Sequence, residues 1–174
     1  MSHLFKSTFF VGLLVVAFGC SESSSGGGAP TQTPNTQAPA NNGSVNLTVE
    51  SVADNGQVVV PINLTSVNNT PAGLQFDLNF DNSKLSFVKM NVGSQTSAAG
   101  KTVTPNVLPN GNVRVLITGL NTNTIADGTV AEAVFTTTGN TGDTAAVALI
   151  DVKASDVSAQ EISATKTDGT VTIQ

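Results

Sequence analysis

The sequence predicts an all-β protein whose folded part is a nine-stranded β-sandwich. Three observations lead there. The stretch "GLQFDLNFD" (73–81) puts Leu74, Phe76, Leu78 and Phe80 on one parity and Gln75, Asp77 and Asn79 on the other. A period of two is that of a strand with one face in a core and one in water. Similar segments recur down the chain, separated by Gly, Asn and Asp clusters that form tight turns. Finally, Val, Thr, Asn, Ser, Ala and Gly dominate, and no stretch carries a helical period.

The first element, "MSHLFKSTFFVGLLVVAFGC", carries Lys6 near its start and then an apolar run ending at Gly19-Cys20. The run is too short to span a bilayer and has the layout of a secretory signal over residues 1–19. Its ending resembles a bacterial lipobox, in which a small residue precedes the cysteine that receives lipid. Cys20 is the only cysteine of the chain, and its place just after the apolar run makes it the expected lipidation site. An ordinary cleaved signal with an incidental cysteine is the alternative. Ser21, where a sorting aspartate is absent, resembles the pattern sent to an outer membrane in diderm bacteria. The expected location is therefore outside the cytoplasm, tethered by lipid to a bacterial membrane. Residues 20–43 continue as "CSESSSGGGAPTQTPNTQAPANNG", a tract with too little apolar content to fold. As a flexible coil it reaches roughly 25 Å.

From Ser44 to Gln174 the texture is uniform, and this length suffices for one sandwich burying about two-thirds of its unfolded surface. Strands are expected at 44–52, 57–67, 73–80, 85–93, 101–108, 112–120, 129–138, 145–155 and 169–174. The separators include Asp54-Asn55-Gly56, Asn110-Gly111, Asp127-Gly128, Gly139-Asn140 and Asp168-Gly169. Pro61 and Pro105 lack an N–H, so each strand is expected to have an unpaired side there.

Charge and rare residues exclude several functions. Seven basic against twelve acidic residues give a net charge of −5 without any basic cluster, which argues against nucleic acid and against anionic membrane surfaces. The only histidine is His3, so the domain has no Ser/His or Cys/His pair and no ordinary zinc ligand set. Its acids are scattered and mostly beside turn residues, with no pair placed for glycoside hydrolysis. Asp151 and Asp156, at the irregular end of a strand, give only a weak signal for structural calcium. The chain is expected to be non-enzymatic, without a metal or cofactor of its own.

In order, these segments resemble a cohesin domain. "VVVPINLTSV" is similar to the family's second strand, with Pro61 in its usual place. "AGLQFDLNFDNSKLSFV" is similar to the third and fourth, although Asn82 replaces a proline. "GNVRVLITGL", "DGTVAEAVF", "VALIDVKASD" and "DGTVTI" are similar to the sixth through ninth. The resemblance covers Ser44–Gln174 and implies jelly-roll topology, shared in architecture with carbohydrate-binding modules. It also implies a partner: a dockerin, a small helical module that carries its own calcium, borne by another protein. The family docks it on the sheet of strands eight, three, six and five. That implication makes Gln75, Asp77, Asn79, Arg114, Leu116 and Thr118 the candidate partner-binding residues, with Leu116 as apolar anchor. Well-known cellulosomal members of the family carry a carboxylate where this chain has Gln75.

Two other readings stand beside it. Outward Gln, Asp and Asn also suit a plain solvated β-face, with Asp77 discouraging edge pairing, on an immunoglobulin-like surface spacer. Direct carbohydrate binding is disfavoured, because sugar platforms use Trp or Tyr rings and this chain has neither. One expectation concerns the N-terminus alone: Cys20→Ser should move the protein from the detergent phase to the soluble fraction on phase partitioning. Equal partitioning of variant and wild type would rule out lipidation.

Overall fold

The computed structural model describes residues 42–54 and 56–174. The expected signal segment, Cys20 and the linker through residue 41 lie outside the described residues. Eleven strands and one short helix follow in order: β1 (Ser44–Val49), β2 (Val52–Asp54), β3 (Gln57–Val67), β4 (Gly73–Phe80), β5 (Leu85–Val92), α1 (Ser94–Ala98), β6 (Thr102–Val107), β7 (Val113–Thr118), β8 (Gly128–Thr137), β9 (Thr144–Ser155), β10 (Glu161–Thr167) and β11 (Gly169–Ile173). The strand order is β5-β8-β3-β1-β10-β9-β4-β7-β6, with β11 joining β9 to β2. One layer is β5-β8-β3-β1 and the other β9-β4-β7-β6. Pairing is antiparallel except for β1 with β10 and β2 with β11.

The alternation dictates this layering. Val45 and Leu47 on β1, Val60 and Ile62 on β3, Phe76 and Leu78 on β4, Val113 and Val115 on β7, and Val147 and Leu149 on β9 are all buried in one cluster. Phe135 on β8 is also fully buried, with Phe80 and Phe87 edge-on to it at 4.9 and 6.0 Å between ring centres. Such contacts add about 0.5–1.5 kcal/mol each beyond the area they bury. All four rings of the domain are thus in the core or packed on it.

Three departures from the expected elements have physical causes. The strand expected at 44–52 is split, because Pro61 ends its ladder. Pairing of β1 with β3 runs through Val49↔Ile62. At the next position Glu50 N–H donates to the Pro61 carbonyl at 3.0 Å, but proline has no N–H to return. The chain leaves β3 and restarts as β2 against β11. Pro105 lies on β6, which pairs only with β7 and so leaves the proline on an outer edge.

The second departure is β10, an additional strand in "EISATKT". Of its seven residues only Ile162 is fully buried, so no apolar alternation marks it. It turns the corner between the layers: Glu161 and Ile162 pair with β9, and Ser163 onward pairs with β1. The third is α1, a five-residue helix between β5 and β6. It lies close against β8, where Thr96 Oγ1 donates to the Val130 carbonyl at 2.7 Å. Gly93 permits that approach, since a Cβ there would lie 2.4 Å from backbone atoms of Thr129 and Val130.

Phe76 is fully buried at the centre of β4. Phe76→Ala should cost about 3–5 kcal/mol in denaturant unfolding. A loss below about 1 kcal/mol would mean that this ring does not anchor the core.

Candidate functional surface

The layer β9-β4-β7-β6 turns its polar parity outward, and register gathers the candidate residues there. Gln75 lies opposite Leu116, and Asp77 lies opposite Arg114, on adjacent antiparallel strands. On the other side of β4, Gln75 faces Lys153 and Asp77 faces Ile150. Three strands therefore carry two rows: Leu116–Gln75–Lys153 and Arg114–Asp77–Ile150. Aliphatic side chains occupy one pair of opposite corners, at 41% exposure for Leu116 and 38% for Ile150. Cationic side chains occupy the other pair.

The centre of this face is an ion pair. Arg114 Nε donates to Asp77 Oδ1 at 2.7 Å and Nη2 donates to Oδ2 at 2.8 Å, a bidentate fork. The outward parity of Asp77 holds, but the residue is only 5% exposed. The alternative of a plainly solvated carboxylate does not hold at Asp77, because the guanidinium of Arg114 covers it. An edge-guarding role is also excluded, because β4 is flanked by β9 on one side and β7 on the other. The hydrogen bonds that Arg114 donates to Asp77, and then the charge of Asp77, hold the guanidinium protonated to even higher pH than usual. Asp151 Oδ2 approaches the same Nη2 at 3.4 Å.

The remaining candidates lie around this pair. Asn79, exposed, donates from Nδ2 to Asn112 Oδ1 at 2.8 Å. Thr118, also exposed, ends β7 and accepts a hydrogen bond at its carbonyl from Thr102 Oγ1 at 3.1 Å. Next to it the surface sinks into a depression of about 320 Å³ bordered by Gly73, Gln75, Leu116, Thr118, Lys153, Ser155 and Glu161. Gly73 leaves the space open, since a Cβ there would meet Ser155 Oγ at 3.1 Å.

Ile150, Lys153, Ser155 and Glu161 are absent from the sequence-derived set, although they share this face or line its depression. For Lys153 and Ser155 the cause is a bulge in β9, whereas Ile150 keeps the outward parity of the strand before the bulge and Glu161 lies on β10, which no apolar alternation marks. Pairing with β4 shifts register between Gln75 and Asp77, and Asp151 takes a left-handed φ of 55°. The extra residue reverses the parity of β9. A signal was present in "AAVALIDVKA": Ala145, Val147 and Leu149 are apolar on odd positions, Val152 and Ala154 on even ones. Asp156, the other acid weakly associated with calcium, accepts the backbone N–H groups of Ser158 and Gln160 through Oδ1. Among the described residues no three His, Cys, Asp or Glu side chains cluster as a metal site.

A family model described as the cohesin domain matches residues 43–173. Among solved structures, the sixth cohesin of Acetivibrio cellulolyticus scaffoldin B, in complex with a Cel5 dockerin mutant, is similar at TM-score 0.68. It shares 24% identity over 75% of this chain and 99% of that one. A non-cellulosomal cohesin from the archaeon Archaeoglobus fulgidus is similar at TM-score 0.62 and 18% identity, over 75% and 91% of the two chains. A Clostridium thermocellum cohesin–dockerin complex, Coh-OlpC with Doc435, is similar at 0.63 and 17%, over 76% and 93%. No match was found among curated proteins.

The pair at the centre of the face gives an asymmetric expectation. Arg114→Ala leaves the buried Asp77 carboxylate without its counter-ion, whereas Asp77→Asn leaves a half-exposed guanidinium free to turn to water. Arg114→Ala should lower the thermal midpoint by about 5 °C or more, and Asp77→Asn by less than half as much. Calorimetry showing the reverse order would contradict this burial.

Proposed function

The chain belongs to the cohesin-domain family, and on that premise we propose that it is a non-enzymatic binding module for a dockerin-bearing protein. The proposed docking surface is the outer face of β9-β4-β7-β6. The observation that carries this reading is the make-up of that face: two exposed aliphatic side chains flank a rigid, hydrogen-bonded ion pair. A few apolar anchors among polar groups on an ordered scaffold are what protein recognition requires. Gln75, Asn79 and Thr118 are proposed as polar contacts, and Leu116 and Ile150 as anchors. Asp77 takes part through Arg114.

Calcium in this reading belongs to the dockerin. A dockerin loses its fold with its metal, so a chelator should abolish binding while this domain stays folded. Lipid at Cys20 and the tract 21–43 would hold the domain at a bacterial surface, and polysaccharide breakdown is the proposed setting. Sugar binding by this domain is disfavoured because its four Phe rings are in or against the core, unavailable as stacking platforms.

The reading is tested by retention of secreted proteins of the source organism on the full chain, with and without chelator. Calcium-dependent capture of a dockerin-bearing protein is expected. Leu116→Asp should then weaken binding roughly 30- to 1,000-fold, about 2–4 kcal/mol. Thr48→Asp, on the opposite layer, should leave it unchanged. Tight binding of glycans with no protein partner would overturn the assignment.

A further inference from the structure

The two members of the Asp77–Arg114 pair differ in what they leave available. The Asp77 side chain is 7% exposed, and both its oxygens are engaged by Arg114. The Arg114 side chain is 42% exposed. Its Nη1 has no acceptor among the described residues, and the outward contact of Nη2 is the Asp151 carboxylate. That contact, at 3.4 Å, is long for a charge-assisted hydrogen bond, which is commonly about 2.7–2.9 Å.

Asp151 itself is weakly held. It is the left-handed residue of the β9 bulge, its side chain is 51% exposed, and its carboxylate has no other partner among the described residues. The outer edge of the guanidinium is therefore a fork of N–H donors, clamped from below and covered by a loosely held anion. Building on the docking reading above, we propose that Arg114 is the specificity-determining residue of this face. Its outward edge takes a carboxylate side chain of the docked dockerin in the place that Asp151 holds in the free domain.

The chemistry of the fork favours this occupant. A planar guanidinium matches a carboxylate through two parallel N–H···O bonds, which a point-charge ammonium cannot do. The clamp from Asp77 fixes the plane in advance, so little side-chain freedom is lost on binding. Asp77 is thus a positioning residue. The Lys153 ammonium, at the opposite corner of the face, has no hydrogen-bond or ion-pair partner among the described residues, so a second acidic group would also find a cation. Two strand spacings and about two residues put that corner roughly 12 Å from Arg114. Asp151 acts as a built-in competitor for the same donors, and its removal should help binding.

The test uses the full chain and a panel of recombinant calcium-loaded dockerin modules, each paired with its Asp/Glu→Asn/Gln variants, measured by titration calorimetry. Asp151→Asn keeps a residue that tolerates left-handed φ and removes the carboxylate. It should tighten binding of acidic modules about threefold or more. Arg114→Gln should weaken it at least tenfold and erase the preference for acidic over amide modules. Arg114→Lys should restore only part of that preference. Asp77→Asn combined with Arg114→Gln should bind as Arg114→Gln alone does, since Asp77 acts through the guanidinium. Thermal midpoints identify any variant that fails to fold, and the double variant, which buries no unpaired charge, then replaces Arg114→Gln. Weaker binding by Asp151→Asn, or an unchanged acidic preference in folded Arg114→Gln, would overturn the proposal and leave docking intact. A wild-type chain that binds no module would overturn both.

Discussion

The apolar row of β4 constrains everything displayed on its other side. Leu74, Phe76 and Leu78 are buried in the core, and strand geometry then commits Gln75, Asp77 and Asn79 to the outer face. A slip of one residue would move every one of these side chains to the wrong side of the sheet. Because β4 is hydrogen-bonded along both edges, its display is also held laterally. A packed core on one side and backbone ladders on both edges thereby hold the outer face in place.

Irregularities in the ladders shape the rest. Pro61 stops β1 where an N–H is missing, and the chain is free to start β2 on the other side of the molecule. β10 divides its pairing between β9 and β1 and carries the sheet around a corner. The bulge at Asp151 changes which of the following residues of β9 face outward, and so brings Lys153 to the same face as Ile150, beside the β4 row.

The electrostatics of the face follow from its burial. A carboxylate at 5% exposure is costly unless it is paired and hydrogen-bonded, and Arg114 supplies both through two short contacts. Within this pair the carboxylate is hidden and the guanidinium is the half that reaches solvent. Family membership alone did not indicate that asymmetry, because it depends on which residue lies across the ladder from Asp77.

Strand existence and core membership were legible in the sequence because a period of two is a local property, written in consecutive residues. Expected and observed bounds agree for 57–67 and 73–80, where alternation is cleanest. Small polar strands such as "EISATKT" carry no such period, and their place is set by a backbone ladder to a distant strand. The candidate face was half legible. Gln75, Leu116 and Thr118 follow from parity, and the parity break at Ile150-Asp151 was readable but ambiguous without a partner strand. Only the tertiary structure decided that Asp77 is covered by Arg114 and that Gly73 opens a depression beside Leu116. Both depend on cross-strand register between segments 37 or more residues apart, and register is a property of pairs that no single stretch of chain contains.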